Sequence, residues 1–264
     1  MNRIDHCFQQ LRCANSKAFV AYVVAGDPSL DATLDIVLAL EQAGADIIEL
    51  GIPFSDPLAD GVVNQLGAQR ALNNGTSLAG IFKLIENIRK KSSIPLVLFT
   101  YFNPVFSHGV STFLKTAESV GADGVLILDL PPEEAENEWV AGSPLCRISL
   151  IAPTTPCERM QRIVKSSTGF IYYVSREGVT GMQSGLPDNI AKPLQSIHQS
   201  TKLPVCVGFG ISNPEQARFV ADLADGVVVG SAIVNTIAEN LTSPDLPRRV
   251  QSFVQPLAMA VHQK

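Results

Sequence analysis

The sequence has little positive charge and no long apolar run. Its formal net charge is −5, and its densest basic stretch is Arg89-Lys90-Lys91. A protein that binds nucleic-acid phosphates is expected to carry a larger basic patch. No apolar stretch approaches the roughly 20 residues that cross a bilayer, and the segment MNRIDHCFQQLRC lacks the apolar core of a secretion signal. The sequence therefore predicts a cytoplasmic protein with no nucleic-acid or membrane partner.

The cysteines do not match the pattern of a disulfide framework or a metal site. They are odd in number and show no CxxC spacing, so neither a disulfide framework nor a zinc site is expected. Two of them, Cys146 and Cys206, stand in apolar, strand-like runs and are expected to be buried. The five cysteines are Cys7, Cys13, Cys146, Cys157 and Cys206.

Short apolar runs alternate with amphipathic segments along the chain. Each run is mostly apolar on both faces, which is typical of parallel strands buried from two sides. A first amphipathic stretch, with Ile4, Phe8 and Leu11 on one face, predicts a short N-terminal helix. The predicted strands are residues 18–24, 47–50, 96–101, 124–128, 146–151, 170–174, 205–208 and 226–229.

Eight strands alternating with helices predict an α/β fold, a (β/α)8 TIM barrel with an extra N-terminal helix. No linker rich in Pro, Gly or Ser divides the chain, so we expect residues 1–264 to form a single domain. A doubly wound open sheet is the alternative. That fold would more naturally show a glycine-rich fingerprint after the first strand, where this sequence has Val24-Ala25-Gly26-Asp27-Pro28.

The segment ELGIPFSDPLADG, residues 49–61, carries the most informative carboxylates. Glu49 ends the second predicted strand and Asp60 lies on the following loop, where TIM barrels place catalytic groups. A carboxyl group in an apolar strand has a raised pKa unless it is paired, which suits it to proton transfer near neutral pH. Glu49 and Asp60 are therefore candidate catalytic residues. In the alternative, Glu49 pairs with a buried base and Asp60 caps a helix beginning near Asn64.

Glycine-containing turns follow the last three predicted strands, at residues 178–181, 208–210 and 230–231. Together they are similar to the phosphate site of TIM barrels, where backbone N–H groups at a helix N-terminus bind the anion. The stretch 175–187 is long and has few apolar residues, so we expect a mobile lid there. The candidate phosphate-binding residues are Thr180, Gly181, Gly210, Gly230 and Ser231.

The acidic segment resembles the signature of the tryptophan synthase alpha subunit family. Over essentially the whole chain, further segments resemble that family in order and at suitable spacing. They are AGDP (25–28), YFNPVF (101–106), DLPPEE (129–134), APTTP (152–156), SREGVTG (175–181), GFGIS (208–212) and GSAIV (230–234). The resemblance implies a TIM barrel of tryptophan biosynthesis that cleaves indole-3-glycerol phosphate to indole and glyceraldehyde 3-phosphate. Neither proton transfer of this retro-aldol reaction calls for a metal or an organic cofactor.

The resemblance also implies roles for individual residues. Glu49 matches the family's acid/base glutamate, Asp60 matches the aspartate that holds the indole N–H, and Tyr172 matches a tyrosine that lines the site. The apolar residues expected to form the indole pocket are Tyr22, Phe99, Leu126, Ile151, Phe209 and Val228.

The family works with a pyridoxal-phosphate beta subunit in an alpha2beta2 complex, which the resemblance implies as a partner here. The segment 53–58 places Phe54 and Leu58 on a loop at the catalytic face, which favours a docking surface. In the alternative, the ring of Phe54 folds back onto the barrel. Three residues depart from the family pattern: Val62 replaces a proline, Tyr22 stands where phenylalanine is common, and Glu177 puts a carboxylate near the expected phosphate site.

Two other functions remain open. A Schiff-base aldolase needs a lysine, and a metal-dependent epimerase needs histidines, at the C-terminal ends of strands. The nearest candidates lie elsewhere: Lys17, Lys165 and Lys202 precede strands, and His6, His108, His198 and His262 fall on loops or helices. The other possibility is a barrel that has lost catalysis and acts as a regulatory partner of a beta subunit, although the intact carboxylates argue against it.

Overall fold

Eight parallel strands close into a barrel in chain order, and the eighth strand pairs with the first. The computed structural model describes residues 2–134, 143–174, 190–208 and 210–263. The predicted TIM barrel is confirmed, and each predicted strand is present with its ends shifted by at most one residue. The strands are β1 (Ala18–Val24), β2 (Ile47–Gly51), β3 (Leu96–Thr100), β4 (Gly124–Ile127), β5 (Cys146–Ile151), β6 (Ile171–Val174), β7 (Val205–Gly208) and β8 (Gly226–Val229).

Helices cover the outside of the barrel. Several begin at a side-chain cap: Ser29, Ser77 and Asn213 each accept a hydrogen bond from a backbone N–H of the first turn. No helix in the described ranges is long and apolar enough to cross a membrane. The described helices are α1 (Arg3–Ala14), α2 (Leu30–Gln42), α3 (Val62–Asn73), α4 (Leu78–Arg89), α5 (Phe102–His108), α6 (Val110–Val120), α7 (Cys157–Ser166), α8 (Ala191–Ser200), α9 (Pro214–Ala221), α10 (Ser231–Ala238) and α11 (Leu246–His262).

The apolar residues form two layers because successive side chains of a strand point to opposite faces. The outer layer lies between the strands and the helices, and the inner layer fills the barrel. The predicted N-terminal helix, α1, closes one end: Ile4 and Phe8 pack into the inner layer, and the ring of Phe8 lies 5.8 Å from that of Phe170. Cys146 and Cys206 are buried in the inner layer, as predicted.

Asp123, just before β4, gathers several elements at the N-terminal end of the barrel. Its Oδ1 accepts a hydrogen bond from Arg3 Nη1 at 2.8 Å, and its Oδ2 accepts from Arg89 Nη2 at 2.7 Å and from the backbone N–H of Leu96 at 2.8 Å. The Asp123 side chain is almost fully buried. These two ion pairs therefore tie α1 and α4 to the strands, far from the C-terminal ends where a catalytic site is expected.

The C-terminal helix is tied to the same end of the barrel. His262, the last residue of α11, lies with Nε2 2.8 Å from Oδ2 of Asp46, which also accepts a hydrogen bond from the backbone N–H of Phe19 at 2.7 Å. The hydrogen bond to Asp46 raises the pKa of His262, against the opposing effect of burial. The His262–Asp46 contact therefore strengthens when the imidazole is protonated.

Candidate active site

Glu49 lies inside the barrel near the C-terminal end of β2. It pairs in register with Tyr22 of β1 and Val97 of β3, and its residue is fully buried. Among the described residues, neither carboxyl oxygen has a hydrogen-bond partner. Burial raises the pKa of Glu49 from 4.5 to about 8. The group is therefore mostly protonated at neutral pH and can both donate and accept a proton.

Asp60 stands at the end of the loop that follows β2, directly before α3. Its Oδ2 accepts a hydrogen bond from the Tyr101 hydroxyl at 2.8 Å, and its Oδ1 accepts from Asn64 Nδ2 at 3.4 Å. Gln65 Nε2 donates to the backbone carbonyl of Asp60 at 2.7 Å. Burial raises the pKa of Asp60, and the bonds from Tyr101 and Asn64 oppose that effect. The carboxylate is thus buried but held by two donors, unlike that of Glu49.

The alternative helix-cap role for Asp60 does not match the structure. Helix α3 begins at Val62, earlier than the expected start near Asn64, and its N-cap residue is Gly61. The Asp60 carboxylate instead accepts from the side chains of Tyr101 and Asn64. An N-cap carboxylate would accept a hydrogen bond from a backbone N–H of the first turn, so the Asp60 carboxylate does not cap this helix.

Tyr101 is a further site residue, and no sequence pattern predicts it. It follows β3, is buried, and its oxygen accepts a hydrogen bond from the backbone N–H of Ala59 at 3.0 Å while its hydroxyl donates to Asp60. The ring of Phe54 packs against it at 5.4 Å between centroids. Phe54 is therefore only partly exposed, and its ring folds back onto the barrel as in the alternative. Leu58 is exposed, as expected.

Tyr172 and Tyr22 place two phenol groups near the carboxylates. A Cβ atom on Gly208 would collide with the hydroxyl of Tyr172, and one on Gly51 would collide with the hydroxyl of Tyr22. The two glycines therefore make room for the rings. The pKa values of both tyrosines are raised, first by burial and then by nearby negative charge, chiefly that of Glu49 for Tyr172. Both phenols stay protonated and can donate hydrogen bonds.

Three of the other predicted pocket residues share this inner surface. Phe99 meets the ring of Tyr22 edge-on, with centroids 5.0 Å apart and planes at 69°. Leu126 and Val228 are buried in the inner layer, against which Phe99 and Tyr172 pack. The structure therefore places Phe99, Leu126 and Val228 on the inner face of the barrel, and Tyr22 links this face to Glu49 because it contacts Phe99 and pairs in register with Glu49.

Ile151 does not lie where the prediction placed it. It pairs in register with Tyr173 and is buried in the outer layer, whereas Leu150 pairs with Tyr172. Because neighbouring strand residues alternate between faces, the prediction was displaced by one position. Leu150 has the register of an inward-facing residue.

The predicted phosphate site is described in part. Gly230 is the N-cap residue of α10, Ser231 is its buried first residue, and the carbonyl of Gly230 accepts from Ile233 N at 2.8 Å. The first N–H groups of a helix have no intrahelical acceptor and favour an anion. Gly210 has φ +62°, a left-handed conformation that favours glycine. Thr180, Gly181, Phe209 and the expected lid at 175–187 lie outside the described residues.

Comparison with known proteins decides the family. The model of the family described as "Tryptophan synthase alpha chain" matches residues 8–262. The chain belongs to this family. Tryptophan synthase alpha chains from Opitutus terrae and Geotalea daltonii are 51% and 46% identical to it, and each alignment covers 93% and 99% of both chains, respectively.

Solved structures of the tryptophan synthase alpha family agree with this assignment. The alpha subunit from Legionella pneumophila superposes with a TM-score of 0.88 at 35% identity, covering 99% of this chain and 98% of that one. A chain of the tryptophan synthase α2β2 complex from Pyrococcus furiosus has a TM-score of 0.84 at 39% identity, covering 92% of this chain and 98% of that one.

Tryptophan synthase alpha chains cleave indole-3-glycerol phosphate to indole and glyceraldehyde 3-phosphate, so this enzyme is a carbon–carbon lyase of tryptophan biosynthesis. Within the described parts of the chain, no group of three His, Cys, Asp or Glu residues could hold a metal ion. The four histidines lie in helices α1, α5, α8 and α11, away from the strand ends that a metal-dependent epimerase would use. The geometry therefore offers carboxyl and phenol groups for the chemistry.

Proposed function

We propose that Glu49 is the acid/base residue of the cleavage and that Asp60 stabilises the positive charge that develops on the indole nitrogen. The observation that carries this proposal is the contrast between two buried carboxyl groups at the same end of the barrel. Glu49 has a pKa raised to about 8 and no hydrogen-bond partner among the described residues, while Asp60 is held by Tyr101 and Asn64. Two buried carboxyl groups with such different hydrogen bonding suit two different roles.

Glu49 can supply both proton transfers of the retro-aldol step. Its protonated carboxyl gives a proton to C3 of the indole ring. The carboxylate that results takes the proton of the glycerol hydroxyl as the carbon–carbon bond breaks and the aldehyde forms. The residue ends the cycle protonated, as it began, so indole and glyceraldehyde 3-phosphate form without any other proton donor.

Asp60 acts while that proton is on C3. Protonation at C3 makes the ring nitrogen electron-poor, so its N–H becomes a stronger hydrogen-bond donor. A fixed, buried carboxylate that accepts this bond stabilises the transition state more than the ground state. Burial raises the pKa of Asp60, and the bonds from Tyr101 and Asn64 support the role because they oppose that rise and so favour the ionised form.

The remaining predicted residues fit the two ends of the substrate. Tyr22, Phe99, Leu126 and Val228 offer an apolar surface for the indole ring. The N-terminus of α10, at Gly230 and Ser231, offers backbone N–H groups to the phosphate. Gly210→Asp should raise KM sharply because it adds a negative charge beside this anion.

An apolar surface at the catalytic end supports a beta subunit as the partner, in an alpha2beta2 complex. Leu58 is 88% exposed, Val62 65% and Leu66 55%, on the loop after β2 and the first turns of α3, and Phe106 of α5 is 64% exposed. Exposed apolar groups clustered at one end of a protein mark an interaction site. The same loop leads to Asp60, so a bound partner would also restrain this carboxylate.

The test is indole release from indole-3-glycerol phosphate by purified variants. Glu49→Gln should keep its fold and its affinity for a non-cleavable substrate analogue but lose about 10²–10⁴-fold in kcat. Asp123→Asn is the matched control, because it changes a buried carboxylate at the opposite end of the barrel. Near-normal turnover by a folded Glu49→Gln enzyme would remove Glu49 from the mechanism, as would an equal loss of turnover in the control.

A further inference from the structure

A buried ion pair joins α3 to the loop after β1 at the catalytic end of the barrel. Arg70 of α3 donates from Nε to Oδ1 of Asp27 at 2.8 Å and from Nη2 to Oδ2 at 2.7 Å. The Asp27 side chain is fully buried, and that of Arg70 is 24% exposed. A bidentate ion pair of this kind fixes the relative orientation of the two side chains as well as their distance.

Two further contacts join the same helix to the same loop. Asn74 Nδ2 donates to the backbone carbonyl of Pro28 at 2.6 Å. A Cβ atom on Gly67 would lie 3.0 Å from Val234 Cγ1 and 3.1 Å from Asp27 Oδ2, so a larger residue here would push the helix or its neighbours apart. Gly67, Arg70 and Asn74 fall at i, i+3 and i+7 and share one face of the helix, which therefore docks against the end of β1 along a continuous stripe.

The first turns of α3 hold Asp60. Asn64 donates to its carboxylate and Gln65 to its backbone carbonyl. Arg70 lies only about 9 Å further along the helix, at a rise of 1.5 Å per residue. Because a helix moves as a rigid element, a slide or rotation of α3 against β1 would carry both donors away from their present positions.

We propose that Arg70 and Asp27 are positioning residues for Asp60: their ion pair fixes α3 against the end of β1, and α3 holds the carboxylate where it meets the indole nitrogen. This inference rests on the proposed role of Asp60. A buried ion pair contributes little net stability compared with apolar residues of the same size. The pair is therefore better explained by the alignment that it imposes than by the energy that it adds.

Arg70→Met, with Arg89→Met as its matched control, separates alignment from stability. Both changes break a buried Arg–Asp pair, and Arg89 pairs with Asp123 at the opposite end of the barrel. Both variants should melt at a lower temperature. At a temperature where both remain folded, Arg70→Met should lower kcat about tenfold with little change in KM, because a misplaced catalytic group costs up to about 10²-fold. Arg89→Met should leave kcat within about twofold of the wild type, since its effect is on stability alone.

The same substitution made in an Asp60→Asn enzyme shows whether Arg70 acts through Asp60. When Asp60→Asn is already present, adding Arg70→Met should lower kcat no further, because residues that act as a unit are not additive. An equal loss in both backgrounds would overturn the proposal, as would unchanged kcat in a folded Arg70 variant. If Arg70→Met does not fold, Arg70→Lys replaces it in the test, because lysine keeps the charge but cannot form the bidentate hydrogen bonds of the guanidinium group. This variant should also lose kcat, by less than the roughly tenfold expected for Arg70→Met. Wild-type turnover by Asp60→Asn alone would instead refute the proposed function.

Discussion

Replacing Tyr101 by phenylalanine removes the hydroxyl that holds the Asp60 carboxylate. The bond from this hydroxyl to Asp60 Oδ2 is 2.8 Å long, and both residues are buried. The other donor to the carboxylate, Asn64 Nδ2, stands at 3.4 Å and is the weaker of the two. The variant therefore leaves Asp60 in place but poorly oriented.

The size of the effect follows from the kind of bond that is lost. A hydrogen bond to a charged group is worth about 1.5–3 kcal/mol, which corresponds to roughly 10–150-fold in a rate constant. We expect a fall in kcat near the lower end of that range, because Asn64 still holds one oxygen. The effect on folding should be small, since the Ala59 N–H that also loses a partner belongs to an exposed residue and can bind water.

The pH profile gives a second readout with a definite sign. Burial raises the pKa of Asp60, and the bond from Tyr101 opposes this effect. Tyr101→Phe should therefore raise the pKa of Asp60 further. Since the mechanism needs Asp60 ionised, activity is lost as pH falls through this pKa, and the acid limb of kcat/KM should move to higher pH in the variant.

Steady-state indole release, measured across pH, checks both expectations. Tyr173→Phe is the control, because Tyr173 lies in the outer layer and its hydroxyl is remote from the carboxylates. It should leave both kcat and the acid limb unchanged. A Tyr101→Phe enzyme whose kcat stays within about twofold of the wild type and whose acid limb does not move would show that the hydroxyl does not hold Asp60 for catalysis.

Three further predictions concern stability and packing. The folded-state pKa of Glu49, about 8, lies above the ordinary value of 4.5. The stability that its protonated form contributes is therefore complete below pH 4.5 and is lost as pH rises toward 8, by at most roughly 1.4 kcal/mol per pH unit. Denaturant titrations should show this fall in the free energy of unfolding in the wild type and not in Glu49→Gln. Gly208→Ala should displace the Tyr172 ring and lower kcat/KM by about tenfold. Gly226→Ala crowds the inner layer at the start of β8 and should reduce the melting temperature with little effect on turnover. The raised pKa of His262 means that its contact with Asp46 stabilises the protein at low pH and that this stabilisation is lost as pH rises. His262→Gln should therefore lower the free energy of unfolding more at pH 5.5 than at pH 8.5. An equal loss at both pH values would show that the contact does not depend on the imidazole charge.

Strand positions could be predicted from the sequence because burial on both sides demands apolar runs, and those runs are visible without any contact information. Glu49 could be found for the same reason, since a carboxylate stands out inside such a run. Ile151 was misplaced because the runs give no signal for which face a residue takes: with both faces apolar, the period of two is hidden.

The contacts around Asp60 were beyond sequence reasoning. Tyr101 lies 41 residues away in the chain and looks like one more apolar residue at the end of a strand. Its role depends on β3 standing beside β2, which brings its hydroxyl over the loop. The packing of Phe54 is hidden for a related reason: a phenylalanine in a Pro-rich loop is expected to be exposed unless the ring it packs against is known.

Proton transfer by Glu49 should be visible in the pH dependence of kcat/KM for indole release. Reaction of the free enzyme requires protonated Glu49, so activity should fall as pH rises through its pKa of about 8. Glu49→Gln should retain less than about 1% of the activity and should lack this basic limb. A Glu49→Gln enzyme that keeps the basic limb, or that turns over at a rate near the wild type, would show that another group transfers the proton.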